Sequence, residues 1–156
     1  MKTYLKLIVC AFLGLLSLGA QAQNFPGKPG SLAEKNTWTN SQLMDPADLA
    51  AILRNPKAAQ PLIYNIGVVD DIKGAKHLGA SSEKANLEKF RKVLQTLPKN
   101  TNLVVYCGCC PFDKCPNIRP AFKLLNEMGF SHARLLNLPV NLKTNWISKG
   151  YPMAEK

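Results

Sequence analysis

The segment Asn102-Leu103-Val104-Val105-Tyr106-Cys107 is a run of strand-forming residues that ends on a cysteine. Apolar and aromatic side chains follow one another without polar alternation, which predicts a strand buried on both faces. Residues 61–67 (PLIYNIG) and 133–138 (ARLLNL) have the same character. Helical patterns stand between these runs. Asp45-Pro46-Ala47-Asp48 is a helix start: Asp45 can cap, Pro46 suits the first helical position, and Asp48 favours the positive end of the dipole. Leu49, Ile52 and Leu53 give that helix its apolar face, and Pro56 ends it.

A second helix is expected from about Ser82 or Asn86 to Leu97, with Leu87, Phe90, Leu94 and Leu97 on one face and Pro98 as the stop. A third is expected over residues 117–128. It carries Phe122, Leu125 and Met128, has Pro120 in its first turn, and has Gly129 as the left-handed residue past its end. Residues 74–80 (GAKHLGA) read as a glycine-punctuated loop, and Trp146 and Ile147 as apolar anchors of a short last helix. Apolar strands alternating with helices predict an α/β three-layer sandwich around a central, mainly parallel sheet. Ligand sites in such sheets form beyond the carboxyl ends of the strands, where Cys107 stands.

The loop that follows reads Cys107-Gly108-Cys109-Cys110-Pro111-Phe112-Asp113-Lys114-Cys115-Pro116-Asn117. A thiolate between a strand end and a helix start would face free amides and the positive end of the helix dipole. Lys114 and Arg119 add positive charge. Both effects lower a thiol pKa and would stabilise a persulfide in the same way. Four cysteines in nine residues are poorly explained as small buried hydrophobes, and they are too close together to staple distant segments. Three chemistries fit: sulfur transfer through a nucleophilic cysteine, thiol–disulfide exchange (Cys107 and Cys110 have C-x-x-C spacing), and capture of zinc or of a soft ion such as Cu(I).

The first 22 residues have Lys2 and Lys6, an apolar run from Leu7 to Leu18, and Ala20-Gln21-Ala22. This is the pattern of a cleaved secretory signal peptide; the run is short for a membrane span. The domain map is therefore a signal peptide over 1–22, a Pro/Gly leader over 23–36 and one domain over 37–156, with a periplasmic or secreted location and no membrane anchor after cleavage. Cys10 lies inside the apolar run and would be lost. The remaining chain has 18 basic and 10 acidic residues, net +8. The basic residues are scattered rather than striped with aromatics, which argues against nucleic acid and reads as a solvated basic surface, with a field that attracts small anions as the functional alternative. Nothing in the sequence sets an oligomeric state.

With these elements in order, residues from about Trp38 to Pro152 resemble the rhodanese family of sulfurtransferases. Residues 61–67 resemble the strand that ends in an Asp-x-Arg triplet. Residues 75–80 (AKHLGA) resemble the Gly-His-Ile-Pro-Gly-Ala turn, and residues 103–107 the strand that delivers the catalytic cysteine. Residues 121–130 resemble the next helix with its terminal Gly-Phe, and residues 146–152 (WISKGYP) the closing Trp-x-x-x-Gly-x-Pro. The resemblance implies a transferase of the thiosulfate:acceptor type with Cys107 as nucleophile, a small anionic sulfur donor and a thiol acceptor. The loop backbone, Gly108 included, would cradle the persulfide, and Arg119 or Lys114 would orient the donor.

The chain departs from that pattern in four places. Asn65-Ile66-Gly67 stands for Asp-x-Arg, His77 is shifted by one place, and Leu138-Pro139-Val140-Asn141 lacks the usual glycine pair. The cysteine loop is also several residues longer and holds Pro111 and Pro116, which have no N–H to donate. That length leaves room for Cys109, Cys110 or Cys115 to resolve a persulfide or disulfide on Cys107. A thioredoxin-type redox protein is the alternative, with Pro139 as the facing proline; a non-catalytic soft-metal module is another. The transferase reading itself requires no cofactor. His77 reads as a structural turn residue, Asp70 and Asp71 as a solvated loop, His132 as a surface residue before a strand, and Trp38 and Trp146 as core anchors.

Overall fold

The computed structural model describes residues 36–155. The expected signal peptide and all but the last residue of the expected leader lie outside the described residues. The chain runs β1 (Leu43–Met44), α1 (Pro46–Arg54), β2 (Leu62–Asn65), β3 (Ala75–His77), α2 (Lys84–Gln95), β4 (Leu103–Tyr106), α3 (Ile118–Glu127), β5 (Ala133–Leu136) and α4 (Leu142–Asn145). All five strands form one parallel sheet in the order β1-β5-β4-β2-β3. The fold is thus α/β around an all-parallel sheet, consistent with the rhodanese-like sandwich expected from the sequence.

β4 lies at the centre and every residue of it is buried. Strand alternation divides it between two cores. Leu103, Val105 and then Cys107 face the layer that holds Phe90, Leu94, Phe122 and Leu125 of α2 and α3. Val104 and Tyr106 face Leu49 and Leu53 of α1 with Trp146. The period of two therefore puts the cysteine on the same face as α3, the helix its loop leads into.

The helix signals held to within a residue or two. Asp45 caps α1, its Oδ1 accepting from the Ala47 N–H at 2.7 Å, and Pro46 opens the helix. Gly129 closes α3 in the left-handed region at φ 77°. Trp38 and Trp146 are buried as expected, and His132 is an exposed residue before β5. Two expectations are corrected, and one strand appears that the sequence did not announce. Residues 75–77 form a strand, not a loop; β3 is an edge strand whose Lys76 and His77 are exposed, so no apolar run announces it. The two-residue β1 is equally silent, because it is fixed by pairing with β5. Ile147 is 40% exposed, and the last helical segment is anchored by Trp146 with Leu142. Among the described residues no helix is long and apolar enough to cross a membrane.

Candidate functional site

The site forms where β4 ends. Gly108 takes φ 74°, a left-handed turn open to glycine, and its carbonyl accepts from the Leu142 N–H at 2.8 Å. A Cβ on Gly108 would stand 2.7 Å from the Leu142 Cβ. Gly108 thus turns the chain tightly against α4, with its carbonyl held there. A short 3-10 turn, Phe112–Lys114, then carries the loop to Cys115 and to Asn117 at the head of α3.

Within this loop the sulfurs converge. Cys107 and Cys115 are fully buried, while Cys109 lies exposed above them. Cys109 Sγ is 3.2 Å from Cys107 Sγ, 3.4 Å from Cys110 Sγ and 3.9 Å from Cys115 Sγ. The C-x-x-C partner anticipated for Cys107 is therefore displaced: the sulfur against Cys107 is that of Cys109, and Cys110 reaches the cluster through Cys109. The sulfurs of Cys107, Cys109 and Cys115 all lie within 4.8 Å of one another, a set that could hold a soft metal ion.

One thiol of the cluster carries the charge. Hydrogen bonding from the Cys115 thiol lowers the Cys107 pKa to about 5, against the opposing effect of burial. The Asn117 side-chain amide, whose Nδ2 donates to Cys107 Sγ at 3.2 Å, adds to this, as do the Cys109 backbone N–H and thiol. The donors respond in the opposite sense. Cys115 is pushed up by its bond to Cys107 and by burial; Cys109 is pushed up to about 12 by burial and by its bonds to Cys107 and Cys110.

This cradle differs from the ring of backbone amides expected. The amide at the head of α3, that of Asn117, points to the sulfur of Cys115 and eases its pKa down. Cys107 receives a single backbone N–H, from Cys109. With proline at two loop positions, thiols and a side-chain amide do what backbone N–H groups cannot.

Asn117 is the residue that sequence reasoning missed. It is nearly buried and leaves its helix uncapped by a side chain. Its Nδ2 holds the Cys107 sulfur, its Oδ1 accepts from the Ser82 N–H at 3.0 Å, and its carbonyl accepts from the Ser81 hydroxyl. The available signal was an Asn placed to cap a helix directly after a Cys-Pro pair. Gly67 is the second. A Cβ there would stand 2.6 Å from Cys107 Sγ, so a residue without a side chain forms one wall of the sulfur site.

The two charged residues expected to orient an anion lie on the same loop and at the start of α3. Arg119 donates from Nη2 to the Asp113 carbonyl at 2.7 Å and lies over the Trp38 ring at 5.8 Å, so it braces the loop. Lys114 is exposed at the end of the 3-10 turn.

At the neighbouring end of β2, Asn65 is fully buried. Its Oδ1 accepts from the Gly67 N–H at 3.0 Å, and its Nδ2 donates to the Val69 carbonyl at 2.7 Å and to Asp71 Oδ1 at 2.8 Å. His77 Nδ1 lies 3.0 Å from the same Asp71 oxygen and 3.1 Å from Asn65 Nδ2, so the three side chains meet at one corner. Asp71 is thus held by two side chains, not free in a solvated loop, and His77 fastens β3 to it. Asp70 contributes its carbonyl, which accepts from the Tyr106 hydroxyl at 3.3 Å.

No family model matches the chain, and no curated protein matches it. Among solved structures it is similar to the Saccharomyces cerevisiae single-domain sulfurtransferase RDL2, at 17% identity over 72% of this chain and 95% of that one, with a TM-score of 0.49.

Proposed function

We propose that the protein is a rhodanese-like sulfurtransferase or persulfide carrier, exported to the periplasm or beyond, that moves sulfane sulfur through Cys107. The observation that carries this reading is the Cys107 sulfur at the end of the central strand, ringed by the Cys115 thiol, the Asn117 amide and the Cys109 N–H. A thiolate attacks the outer sulfur of a donor such as thiosulfate. The donor S–S bond breaks, sulfite leaves with the electron pair, and a Cys107 persulfide forms. An acceptor thiolate then takes the outer sulfur and returns Cys107 as thiolate. The thiol and amide donors around Cys107 Sγ lie beside the outer sulfur of a persulfide as well, which supports a carrier role.

Cys107 is fully buried beneath Cys109, so a donor reaches it only when the Cys109–Cys110 limb swings aside. The same limb offers Cys109 as a resolving thiol. Its attack on the inner sulfur of the persulfide gives a Cys107–Cys109 disulfide and releases hydrosulfide. A second reading, thiol–disulfide exchange, is favoured by the 3.2 Å approach of those two sulfurs.

Intact mass separates the two. Treatment of the reduced protein with thiosulfate or polysulfide is expected to add one sulfur, and Cys107→Ser to abolish the gain. A chain that stays unchanged in mass under both donors, yet loses two hydrogens reversibly with a disulfide reagent, would favour the redox reading.

A further inference from the structure

We infer that the cysteine loop is also a three-sulfur binding site for a soft monovalent ion, Cu(I), held by Cys107, Cys109 and Cys115. Three observations carry this. First, the three sulfurs lie within 4.8 Å of one another, with 3.2 and 3.9 Å for the pairs that involve Cys109. A trigonal ion with metal–sulfur bonds of about 2.3 Å sets its sulfurs roughly 4 Å apart, so each pair adjusts by under about 1 Å.

Second, the cluster that meets the ion is sulfur only. Soft thiolates without imidazole or carboxylate select Cu(I) over harder ions, and structural zinc takes four ligands. The fourth sulfur, of Cys110, touches Cys109 and stands outside the set of three. Third, the surroundings suit a low-coordinate ion that water would attack. Cys107 and Cys115 belong to the apolar core with Ile66, Ile118 and Phe122, and Phe112 packs against it. The Asn117 amide and Nδ2 and the Cys109 N–H all donate to ligand sulfurs, the outer bonds that orient and stabilise thiolate ligands.

Binding involves no redox step. Cu(I) binds the three sulfurs as thiolates, and any thiol protons go to solvent, leaving a tris-thiolate complex of net charge minus two. The N–H donors and the exposure of Cys109 to water offset that charge. The ion and a persulfide compete for one sulfur, so a metal-loaded chain is closed to sulfur transfer. The metal proposal itself does not depend on the transfer reading, because its readouts are metal content and coordination.

The test titrates the reduced full chain with Cu(I) without oxygen, against a chromophoric Cu(I) chelator, and reads the coordination shell by X-ray absorption. The expected result is one Cu(I) per chain with three sulfur neighbours. Cys115→Ser, checked for folding by circular dichroism, is expected to lower this to two, and Cys110→Ser to leave three. Asn117→Ala keeps all three ligands and should weaken binding by about 10-fold. Two sulfur neighbours in the unaltered chain, or binding lost with Cys110→Ser and kept with Cys115→Ser, would place the ion on the exposed Cys109–Cys110 pair and overturn the proposal. Tighter, four-coordinate uptake of zinc in a parallel titration would overturn it as well.

Discussion

The cysteine loop and the corner between β2 and β3 meet at the carboxyl edge of one sheet, where Asn65 and Tyr106 are register partners and Gly67 abuts Cys107. The corner holds its polar groups by strong hydrogen bonds. Asn65 spends both amide hydrogens and its oxygen within the segment, and Asp71 accepts from two side chains. The loop holds a single charge by weaker sulfur contacts, and two of its donors are thiols that could themselves react. One region is built to stay put, and the other to give up a sulfur anion and take it back. The rigid region forms the wall against which the reactive one is set.

The largest effect is expected where the two regions touch. Gly67→Ala drives a methyl group onto Cys107 Sγ at 2.6 Å and onto its carbonyl at 2.8 Å. Neither can yield cheaply, because the sulfur is enclosed and the carbonyl is backbone. The variant should lose about 1–3 kcal/mol of stability in a thermal or denaturant melt and lose sulfur uptake at Cys107. Unchanged stability with normal uptake would mean that the wall is not rigid.

Next comes Asn65→Ala. It strands the Gly67 N–H and the Val69 carbonyl and removes one of two donors to Asp71. A buried group left without a partner costs about 1–3 kcal/mol, so denaturation should report a loss in that range. A loss of only a few tenths would show that the corner is held by packing alone.

Asn117→Ala separates charge from packing. In the unaltered protein Cys107 has a pKa of about 5. Alkylation or persulfidation should rise with pH through that value and level off well below neutrality. A pKa lowered on folding also makes a stability contribution that is fully present above the unfolded thiol value, about 8.5, and fades as pH falls through the folded value. Without its amide donor the midpoint of the rate profile should move upward by roughly one unit. A midpoint that stays near 5 would assign the thiolate to Cys115 and Cys109 alone.

Much of the architecture was legible because it rests on apolar pattern. The runs at 61–67, 102–107 and 133–138 each contain a strand, and Asp45-Pro46 and Gly129 mark their helix ends as capping chemistry requires. β1 and β3 were not legible, since two- and three-residue edge strands exist through their neighbours' hydrogen bonds. In the site, the cysteine cluster was visible as composition, and the place of Cys107 followed from sheet topology. Which sulfur lies against which depended on the Gly108 turn and on where Phe112–Lys114 coils, neither of which has a periodicity to read. Asn117 and Gly67 escaped for a related reason: their roles come from a contact across the loop and across two strands, not from local pattern. Arg119 was legible as a positive charge near the loop, and its bond to the Asp113 carbonyl and its place over the Trp38 ring were not.

The smallest expected effect tests how independent the two regions are. His77→Ala removes one donor from Asp71, but Asn65 still donates to the same oxygen, and its bond to the Gly67 N–H is untouched. His77 lies half in solvent, so the lost hydrogen bond is replaced largely by water. Stability should fall by about 0.5 kcal/mol or less, as for most exposed positions. The pH midpoint of Cys107 reactivity should not move, because His77 makes no contact with any group that holds the sulfur. If it shifted as far as in Asn117→Ala, the path would run from His77 through Asn65, which it meets at 3.1 Å, and Gly67 to the Cys107 sulfur. The wall would then be part of the sulfur's electrostatics, not merely its boundary.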